Sequence, residues 1–351
     1  MKRIRARTAS RIDPRAVINL MRRVMQPAGI AALGLLGLAL TTLPSFGQSA
    51  YPSRPITVIV PFAAGGPTDI VARIVTGHMA ATLGQQIIIE NVVGSGGTTA
   101  AIRAMRSTPD GYTIMMGHMG THGAAVALNP TVGYSPSHDF EPIGMAVGMP
   151  VLILVRKKLP AENLTEFIAY SRDHASPLTM AHAGLGSVSF ATCLLFNSII
   201  DAHPAMVAFQ GTGPAMQALI AGRIDYMCDQ IVSAAPQIGA GMIKSFAIAS
   251  PQRSPILPDV PTAAEAGLEA FQVSAWNALF APKRTPPTII TQLNDALGQA
   301  LDDPLTRKQL LELGSEIPGT DGRTPDALTK LVNSEIVKWM PVTHSVTVTG
   351  R

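Results

Sequence analysis

Short apolar runs alternate with glycine-rich turns and amphipathic segments along most of this chain. The first run, Ile56–Pro61, is rich in β-branched residues and predicts a buried strand, and apolar positions at helical spacing follow it as far as Leu83. Further strands are predicted at Gln86–Glu90, Tyr112–Met116, Val151–Val155, Thr179–Ala183, Ala205–Phe209, Ile224–Cys228 and Ser245–Ala249. Strands that alternate with helices predict right-handed crossover connections and mostly parallel sheets.

The spacing of apolar positions also predicts helices at Thr98–Met105, Asn163–His174, Pro214–Ala221, Thr288–Leu301, Pro304–Leu313 and Pro325–Trp339. The strand–helix unit occurs in two similar blocks, so we predict an α/β fold with two lobes, each a mostly parallel sheet flanked by helices. Residues 51–150 together with 277–351 form the first predicted lobe, and residues 151–276 form the second. Because ligands of such folds bind outside the carboxyl ends of the strands, we expect a ligand cleft between the lobes.

The formal net charge of +4 comes from the N-terminal segment. Residues 1–50 hold eight of the 27 basic side chains and one of the 23 acidic ones, which leaves 19 basic and 22 acidic side chains after them. The body is therefore slightly acidic, and we expect no nucleic-acid partner.

The N-terminal segment has the pattern of a secretory signal peptide. Arg22 and Arg23 precede the apolar run Ala28–Leu43, which is shorter than the roughly 20 residues that a membrane span needs. Residues 1–50 are therefore predicted to be a signal that directs export to the periplasm, with cleavage near Ala50. An uncleaved anchor is the alternative, and translation that starts at Met21 or Met25 is also open.

Two glycine-rich turns, Ala63–Asp69 and Gly94–Thr98, each join a predicted strand to the start of a predicted helix. A helix start carries unpaired backbone N–H groups and partial positive charge, and glycine lets a ligand approach them closely. The two turns therefore predict an anion site that needs no lysine or arginine. Ordinary turns capped by Thr68 and Thr98 are the alternative.

The sequence around the two turns favours a carboxylate over a nucleotide phosphate as the bound anion. No G-K-[ST] follows the glycines, and Thr99 stands where the third glycine of a dinucleotide fingerprint belongs. The chain also lacks G-x-S-x-G, H-E-x-x-H and C-x-x-C, so the sequence predicts a protein that is not an enzyme and has no cofactor.

Two further residue pairs have side chains that can bind a metal or form a disulfide. His118 and His122 are four residues apart, which would suit a metal on a helix, but the surrounding glycines predict a loop and we expect no metal site. Cys193 and Cys228 are compatible with a disulfide or with two buried free thiols, and the sequence leaves this open.

Six segments in order resemble motifs of the tripartite tricarboxylate transporter receptors, also called Bug proteins. The segments are YPSRPITVIVPFAAGGPTDIVAR, ENVVGSGGTTAA, TPDGYTIMMG, FQGTGPAMQALIAGRID, PDVPTAAEAGL and SAWNALFAPKRTP, and the resemblance extends from Tyr51 to about Trp339. It implies a type II periplasmic-binding-protein fold that closes on one small carboxylate by a hinge motion.

The resemblance also implies which residues hold the ligand. They come from five turns and strand ends: Phe62, Ala64, Gly65, Thr68 and Asp69; Ser95, Gly97 and Thr98; His118 and Thr121; Gly186 and Ser187; and Gly211, Thr212 and Asp229. Phe190–Thr192 departs from the His–Leu–Ala that the family often has there, which leaves the specificity at the far end of the ligand open.

These features together predict a monomeric solute-binding receptor. It would capture a small carboxylate (a dicarboxylate, a tricarboxylate, an acidic amino acid or an aromatic acid) and deliver it to the membrane permease subunits of a tripartite transporter. A periplasmic ligand sensor that signals to a two-component histidine kinase is the alternative. A carboxylate-processing enzyme would need a positioned nucleophile or acid–base pair, which the sequence does not offer.

Overall fold

The computed structural model describes residues 51–173 and 177–345, so the predicted signal peptide at residues 1–50 lies outside it. The described strands are β1 (Ile56–Val60), β2 (Ile87–Asn91), β3 (Thr113–His118), β4 (Phe140–Arg156), β5 (Thr179–His182), β6 (Ala205–Ala208), β7 (Tyr226–Gln230), β8 (Ile243–Ile248) and β9 (Ser274–Pro282). In the described residues, no helix combines the length and apolar character needed to cross a membrane.

The described helices connect these strands and cover the sheet. They are α1 (Pro67–Leu83), α2 (Thr98–Met105), α3 (Ala125–Leu128), α4 (Pro136–Asp139), α5 (Leu164–Asp173), α6 (Val188–Ile200), α7 (Thr212–Ile220), α8 (Ile231–Gly239), α9 (Pro287–Asp302), α10 (Pro304–Glu312) and α11 (Pro325–Trp339). A π-helical turn, Gly120–Ala124, leads into α3, and short 3₁₀ turns lie at Ser95–Gly97, Thr320–Arg323 and Met340–Ser345.

The strands follow the order β2-β1-β3-β9-β4-β7-β5-β6, and β8 pairs with β4 outside this path. Strand β1 is parallel to β2 and β3, and β5 is parallel to β6 and β7. The long strands β4 and β9 are antiparallel to their neighbours and link these two parallel groups. We call the β1, β2, β3 and β9 side with its helices lobe 1, and the β5–β8 side lobe 2.

Strand β4 belongs to both lobes. Its residues from Phe140 to Pro150 pair with β9, and its residues from Val151 onward pair with β7 and β8. The change of partner falls where the sequence places a domain boundary. That the two lobes move about this point stays a prediction.

Alternate residues of the strands belong to different hydrophobic clusters. In β4, Val151, Ile153 and Val155 join one cluster, whereas Leu152 and Leu154 join the other. Because successive side chains of a strand point to opposite faces of the sheet, both faces of β4 are covered. This double burial explains why the sequence has continuous apolar runs here rather than alternating ones.

The longer elements that the sequence did not predict are the first half of β4, strand β9 and helix α8, and the one-turn helices α3 and α4 were not predicted either. Proline and glycine interrupt the apolar pattern in β4 at Pro142, Gly144, Gly148 and Pro150. The pairing with β9 shifts register at two irregularities in this half. Long antiparallel strands tolerate such residues at bulges, so the sequence pattern resembles a connection although the backbone is extended.

Cys193 of α6 and Cys228 of β7 form a disulfide in the core of lobe 2. Their Cα atoms are 5.4 Å apart, and both side chains are completely buried. The structure therefore resolves the alternative of a bridge or two free thiols in favour of the bridge. It ties a helix to the central part of the sheet across 35 residues of sequence.

Replacing both cysteines by alanine should destabilise the protein. Closing a loop of 35 residues reduces the entropy of the unfolded chain, which corresponds to roughly 3–4 kcal/mol of stability. Urea unfolding followed by circular dichroism should show this loss, and thiol titration of denatured wild-type protein should find no free thiol. An unchanged unfolding midpoint in the double variant would contradict the prediction.

Candidate functional site

A cavity lies between the two lobes at the carboxyl ends of the parallel strands. Its empty volume is about 300 Å³, which includes space that opens towards solvent. It is lined by Phe62, Gly66, Pro67, Thr68, Asp69, His118, Ala183, Ser187, Val188, Ser189, Thr212 and Gln230. Lobe 1 contributes the first six of these residues and lobe 2 the rest, so both lobes must be in contact for the cavity to exist.

Three helices begin at the wall of this cavity. Helix α1 starts at Pro67 after Gly66, which has no side chain to cap it, and α7 starts at Thr212 after Gly211, which also provides no cap. Helix α6 starts after Ser187, whose hydroxyl accepts a hydrogen bond from the backbone N–H of Phe190. The first N–H groups of a helix have no intrahelical acceptor, and the helix dipole makes this end positive. The three starts together favour an anion in the cavity.

No lysine or arginine is among the residues that line the cavity. The attraction for an anion therefore comes from backbone dipoles and neutral side chains. Such groups have fixed positions and lose little conformational freedom when a ligand binds, unlike a long cationic side chain.

Asp69 is the one charged residue on the cavity wall, and its carboxylate is hydrogen-bonded to groups of the protein. It accepts hydrogen bonds from the backbone N–H of Gly65 at 3.0 Å, from Nδ2 of Asn91 at 3.0 Å, and from Nε and Nη2 of Arg73 at 2.9 Å each. Burial alone would raise the pKa of Asp69, but these hydrogen bonds and the Arg73 charge hold it below its usual value. Asp69 therefore anchors the turn between β1 and α1, and does not offer a free acid to a ligand.

His118 presents a neutral hydrogen-bond donor at the cavity. Its Nδ1 atom accepts hydrogen bonds from the backbone N–H groups of Gly120 at 2.8 Å and Thr121 at 3.3 Å, so the ring proton is on Nε2. Complete burial lowers the pKa of His118 to about 3, which keeps the ring neutral at physiological pH. The Nε2 atom is buried and has no partner among the described residues, while the ring stacks on Phe62.

The backbones of the two lobes touch around the cavity, mostly at glycines. The N–H of Ala63 donates to the carbonyl oxygen of Gln210 at 3.1 Å. Gly96 lies so close to the Leu185 carbonyl that a side chain at position 96 would overlap it, and Gly120 and Gly186 are also in close contact. We call these contacts the seam. The structure therefore has the lobes closed on the cavity.

The structure places the fifteen predicted site residues in three settings. The cavity wall contains Phe62, Thr68, Asp69, His118, Ser187 and Thr212. The seam and its immediate surroundings contain Ala64, Gly65, Ser95, Gly186 and Gly211. The remaining residues, Gly97, Thr98, Thr121 and Asp229, pack behind these two groups.

The sequence leaves open whether Asp229 or Gln230 at the end of β7 faces the cleft, and the residue that lines the cavity is Gln230. Successive residues of a strand face opposite ways, and the sequence cannot show which of the two faces the cleft. Gly66, Pro67, Ala183, Val188 and Ser189 were also absent from the predicted site. The helix-start pattern that selected Thr68 and Ser187 could have identified all of them except Ala183.

The two histidines of the third turn do not form a metal site in the described residues, where no group of three metal-ligating side chains occurs. The stretch is helical from Gly120, contrary to the predicted loop. Nδ1 of His122 lies 2.9 Å from the Thr121 hydroxyl, and its ring stacks on Phe280. His122 is therefore part of the packing beneath the cavity.

The variant Asp69→Asn should weaken the fold at neutral pH, because the buried hydrogen-bond network would lose its charge. The expected loss is about 1–3 kcal/mol of unfolding free energy. The pKa of Asp69 is lower in the folded state, so its contribution is present above the unfolded pKa and is lost as pH falls through the folded pKa. Urea unfolding at pH 7 and pH 3 should therefore show a smaller difference from wild type at the lower pH.

Asp110→Asn provides the control for this measurement. Asp110 forms an exposed ion pair with Arg54 at 3.1 Å, which should contribute less than about 1 kcal/mol. Equal effects of the two substitutions at pH 7 would show that the Asp69 network does not hold the turn.

The fold and the chain as a whole are similar to those of known binding proteins. A structure of MatC from Rhodopseudomonas palustris with bound malate shares 52% sequence identity and a TM-score of 0.82, covering 84% of this chain and all of that one. The periplasmic binding protein BugD shares 36% identity and a TM-score of 0.81, over 84% of this chain and 98% of its own. The predicted two-lobed periplasmic-binding-protein fold is thereby confirmed.

A curated relative extends the likeness at the level of sequence. The UPF0065 protein from the TAR-I ttuE-ttuC' intergenic region of Agrobacterium vitis is 40% identical over 301 residues, which are 85% of this chain and 87% of that protein. Residues 71–347 match the family described as "Tripartite tricarboxylate transporter family receptor", whose members are substrate-binding receptors and not enzymes. The chain belongs to this family of periplasmic receptors.

Proposed function

We propose that this chain is exported and captures a small dicarboxylate, with malate as the first candidate, for delivery to the membrane permease subunits of a tripartite transporter. The single observation that carries the proposal is the convergence of three helix N-termini on one interlobe cavity without a cation.

The donors at the cavity suit carboxylate oxygens. A carboxylate accepts several hydrogen bonds at once, and the starts of α1, α6 and α7 supply backbone N–H groups from both lobes. His118 adds a neutral side-chain donor from lobe 1. Donors on both sides of a small cavity suit a ligand with acceptors at both ends, as a short dicarboxylate has.

The likeness to MatC supports malate as the first ligand to test. That protein was solved with malate, and the similarity covers its whole length at 52% identity. The two lobes already touch at the seam around the cavity. A small acid is therefore sufficient to account for a cavity of this size.

Delivery to a permease follows from the way in which the ligand is held. A ligand enclosed between lobes leaves only when the lobes separate, so a receptor of this kind releases it where a partner favours the open form. Family membership supports tripartite permease subunits as that partner.

Ligand binding can be tested by thermal unfolding of residues 51–351, after denaturation and refolding to remove carried-over ligand. At 100 times its dissociation constant a ligand stabilises by about 2.7 kcal/mol, or roughly 4 °C for a chain of about 300 residues. We expect a shift of this order with malate, in a panel that also contains succinate, citrate, aspartate and nicotinate.

The panel also shows what would overturn the proposal. If refolded protein with native circular dichroism shows no shift with any acid, the three helix starts are structural caps and the proposed function is wrong. Cells that lack the gene should also lose uptake of the labelled ligand, and N-terminal sequencing of periplasmic protein would test export.

The variant Gly96→Ala should prevent closure of the lobes. Its Cβ atom would overlap the Leu185 carbonyl, which is backbone and cannot rotate away. Because the ligand is held by groups from both lobes, we expect its affinity to fall at least about 10-fold in isothermal titration calorimetry.

Gly84→Ala is a matched control for this variant. Gly84 has a φ of 64° and Gly96 a φ of 66°, so both substitutions introduce similar backbone strain, but nothing lies within 4 Å of a Cβ atom at position 84. Gly84→Ala should keep the wild-type affinity. Equal affinities in the two variants would exclude the seam as a requirement for binding.

A further inference from the structure

The wall of the cavity in lobe 2 contains a buried acceptor that has no hydrogen-bond donor. Gln230 is 4% exposed and lines the cavity, and its Oε1 atom has no partner among the described residues. Buried side-chain oxygens are nearly always paired with a donor, so an exception at a ligand cavity points to a group on the ligand.

Asp229, the neighbour of Gln230 on β7, packs behind this wall and is a second buried acceptor. Its carboxylate is 1% exposed, accepts a hydrogen bond from the Ser233 hydroxyl at 2.6 Å, and leaves Oδ1 without a partner. The Thr212 side chain, which lines the cavity, is close enough to hydrogen-bond this carboxyl and lower its pKa in part. Consecutive residues at the end of β7 are therefore buried acceptors, and of these two Gln230 lines the cavity.

The charge of Asp229 also favours a hydrogen-bond donor on the ligand. Burial raises the pKa of Asp229 to about 6, so the group is still mostly ionised at pH 7.5. A negative charge beside the wall of lobe 2 disfavours a carboxylate placed against Gln230 and favours a polarised N–H or O–H group.

The rest of the cavity has the reverse character, since the starts of α6 and α7 in lobe 2 also present backbone donors. Lobe 1 presents the N-terminus of α1 and the Nε2 proton of His118, which are donors suited to carboxylate oxygens. The cavity therefore has a donor side and an acceptor position, and these two sides define the orientation of a ligand.

We propose that Gln230 selects a carboxylate ligand that carries a hydroxyl or ammonium group over the same carboxylate without one. This inference rests on the proposed function, since it names the group that the same cavity recognises in its ligand. A ligand without the donor would leave the Gln230 oxygen buried and unpaired, which should reduce affinity roughly 10- to 100-fold.

Malate, aspartate and succinate form a matched series for the test, because they share a four-carbon diacid skeleton and differ at one carbon. Titration calorimetry on refolded wild-type protein, with both enantiomers of malate and of aspartate, should show malate or aspartate binding 10- to 100-fold more tightly than succinate. The comparison of malate with aspartate distinguishes a hydroxyl donor from an ammonium donor.

The variant Gln230→Leu has a similar size and no hydrogen-bonding atoms. It should lose the preference, with the affinity for the favoured ligand falling towards that for succinate while succinate changes by less than about 3-fold. Gln230→Glu retains an acceptor and should keep the preference, while its added negative charge should lower the affinity for all three diacids. Gln217→Leu, an exposed position on α7, controls for the replacement of a glutamine by leucine.

Each result bears on the inference. Equal wild-type affinities for malate, aspartate and succinate would overturn it and leave the proposed function intact. A similar loss for all three ligands in Gln230→Leu would also overturn it, because the amide would then hold a carboxylate that every ligand has. Binding of nicotinate alone, which carries neither a hydroxyl nor an ammonium group, would exclude it for this site, and silence across the whole panel would remove the proposed function as well.

Discussion

The contact between the backbones of the two lobes is the constraint on which the rest of the site depends. The walls of the cavity come from helix starts in both lobes, and they face each other only when the main chains at Gly96, Gly186 and Gly211 touch their partners. A side chain at Gly96 would overlap the Leu185 carbonyl and hold the lobes apart. Gly96 and Gly211 thus serve closure at least as directly as they serve an anion, because the closest neighbours of both are backbone atoms of the other lobe.

Recognition by neutral groups has a physical advantage in a closed cavity. A cleft arginine or lysine would be hydrated in the open, unliganded protein, and the desolvation cost of its charge would have to be compensated when the lobes close. Helix N-termini and a histidine held neutral by burial carry partial charges that are already fixed in position. The Asp69 network is likewise fixed in advance. All four hydrogen bonds to its carboxylate come from the protein, so the turn is rigid before any ligand binds.

Much of the fold could be predicted because both faces of its parallel strands are buried, so that strands such as Ile56–Val60 are plain apolar runs. The linking strands β4 and β9 could not be predicted, because Pro142 and Gly144 interrupt the apolar pattern of β4. Its extended backbone is evident only from the pairing with β9. The turns of the site were identified by their glycines and hydroxyl residues. The partners of Asp69 and the choice between Asp229 and Gln230 depend on side-chain direction in the folded state, which local sequence does not encode. The pairing of Cys193 with Cys228 likewise required the packing of α6 on β7.

The disulfide connects the two parts of lobe 2 that build its side of the cavity. Cys193 lies on α6, whose first residues line the cavity, and Cys228 directly precedes Asp229 and Gln230 at the end of β7. A covalent bond between these elements limits how far the α6 start can move from the β7 end when the lobes separate. The donors of α6 and the acceptor of Gln230 should therefore stay in one arrangement in the open protein. Closure then has to bring together only two preformed walls, which lowers the entropy that the ligand must offset on binding.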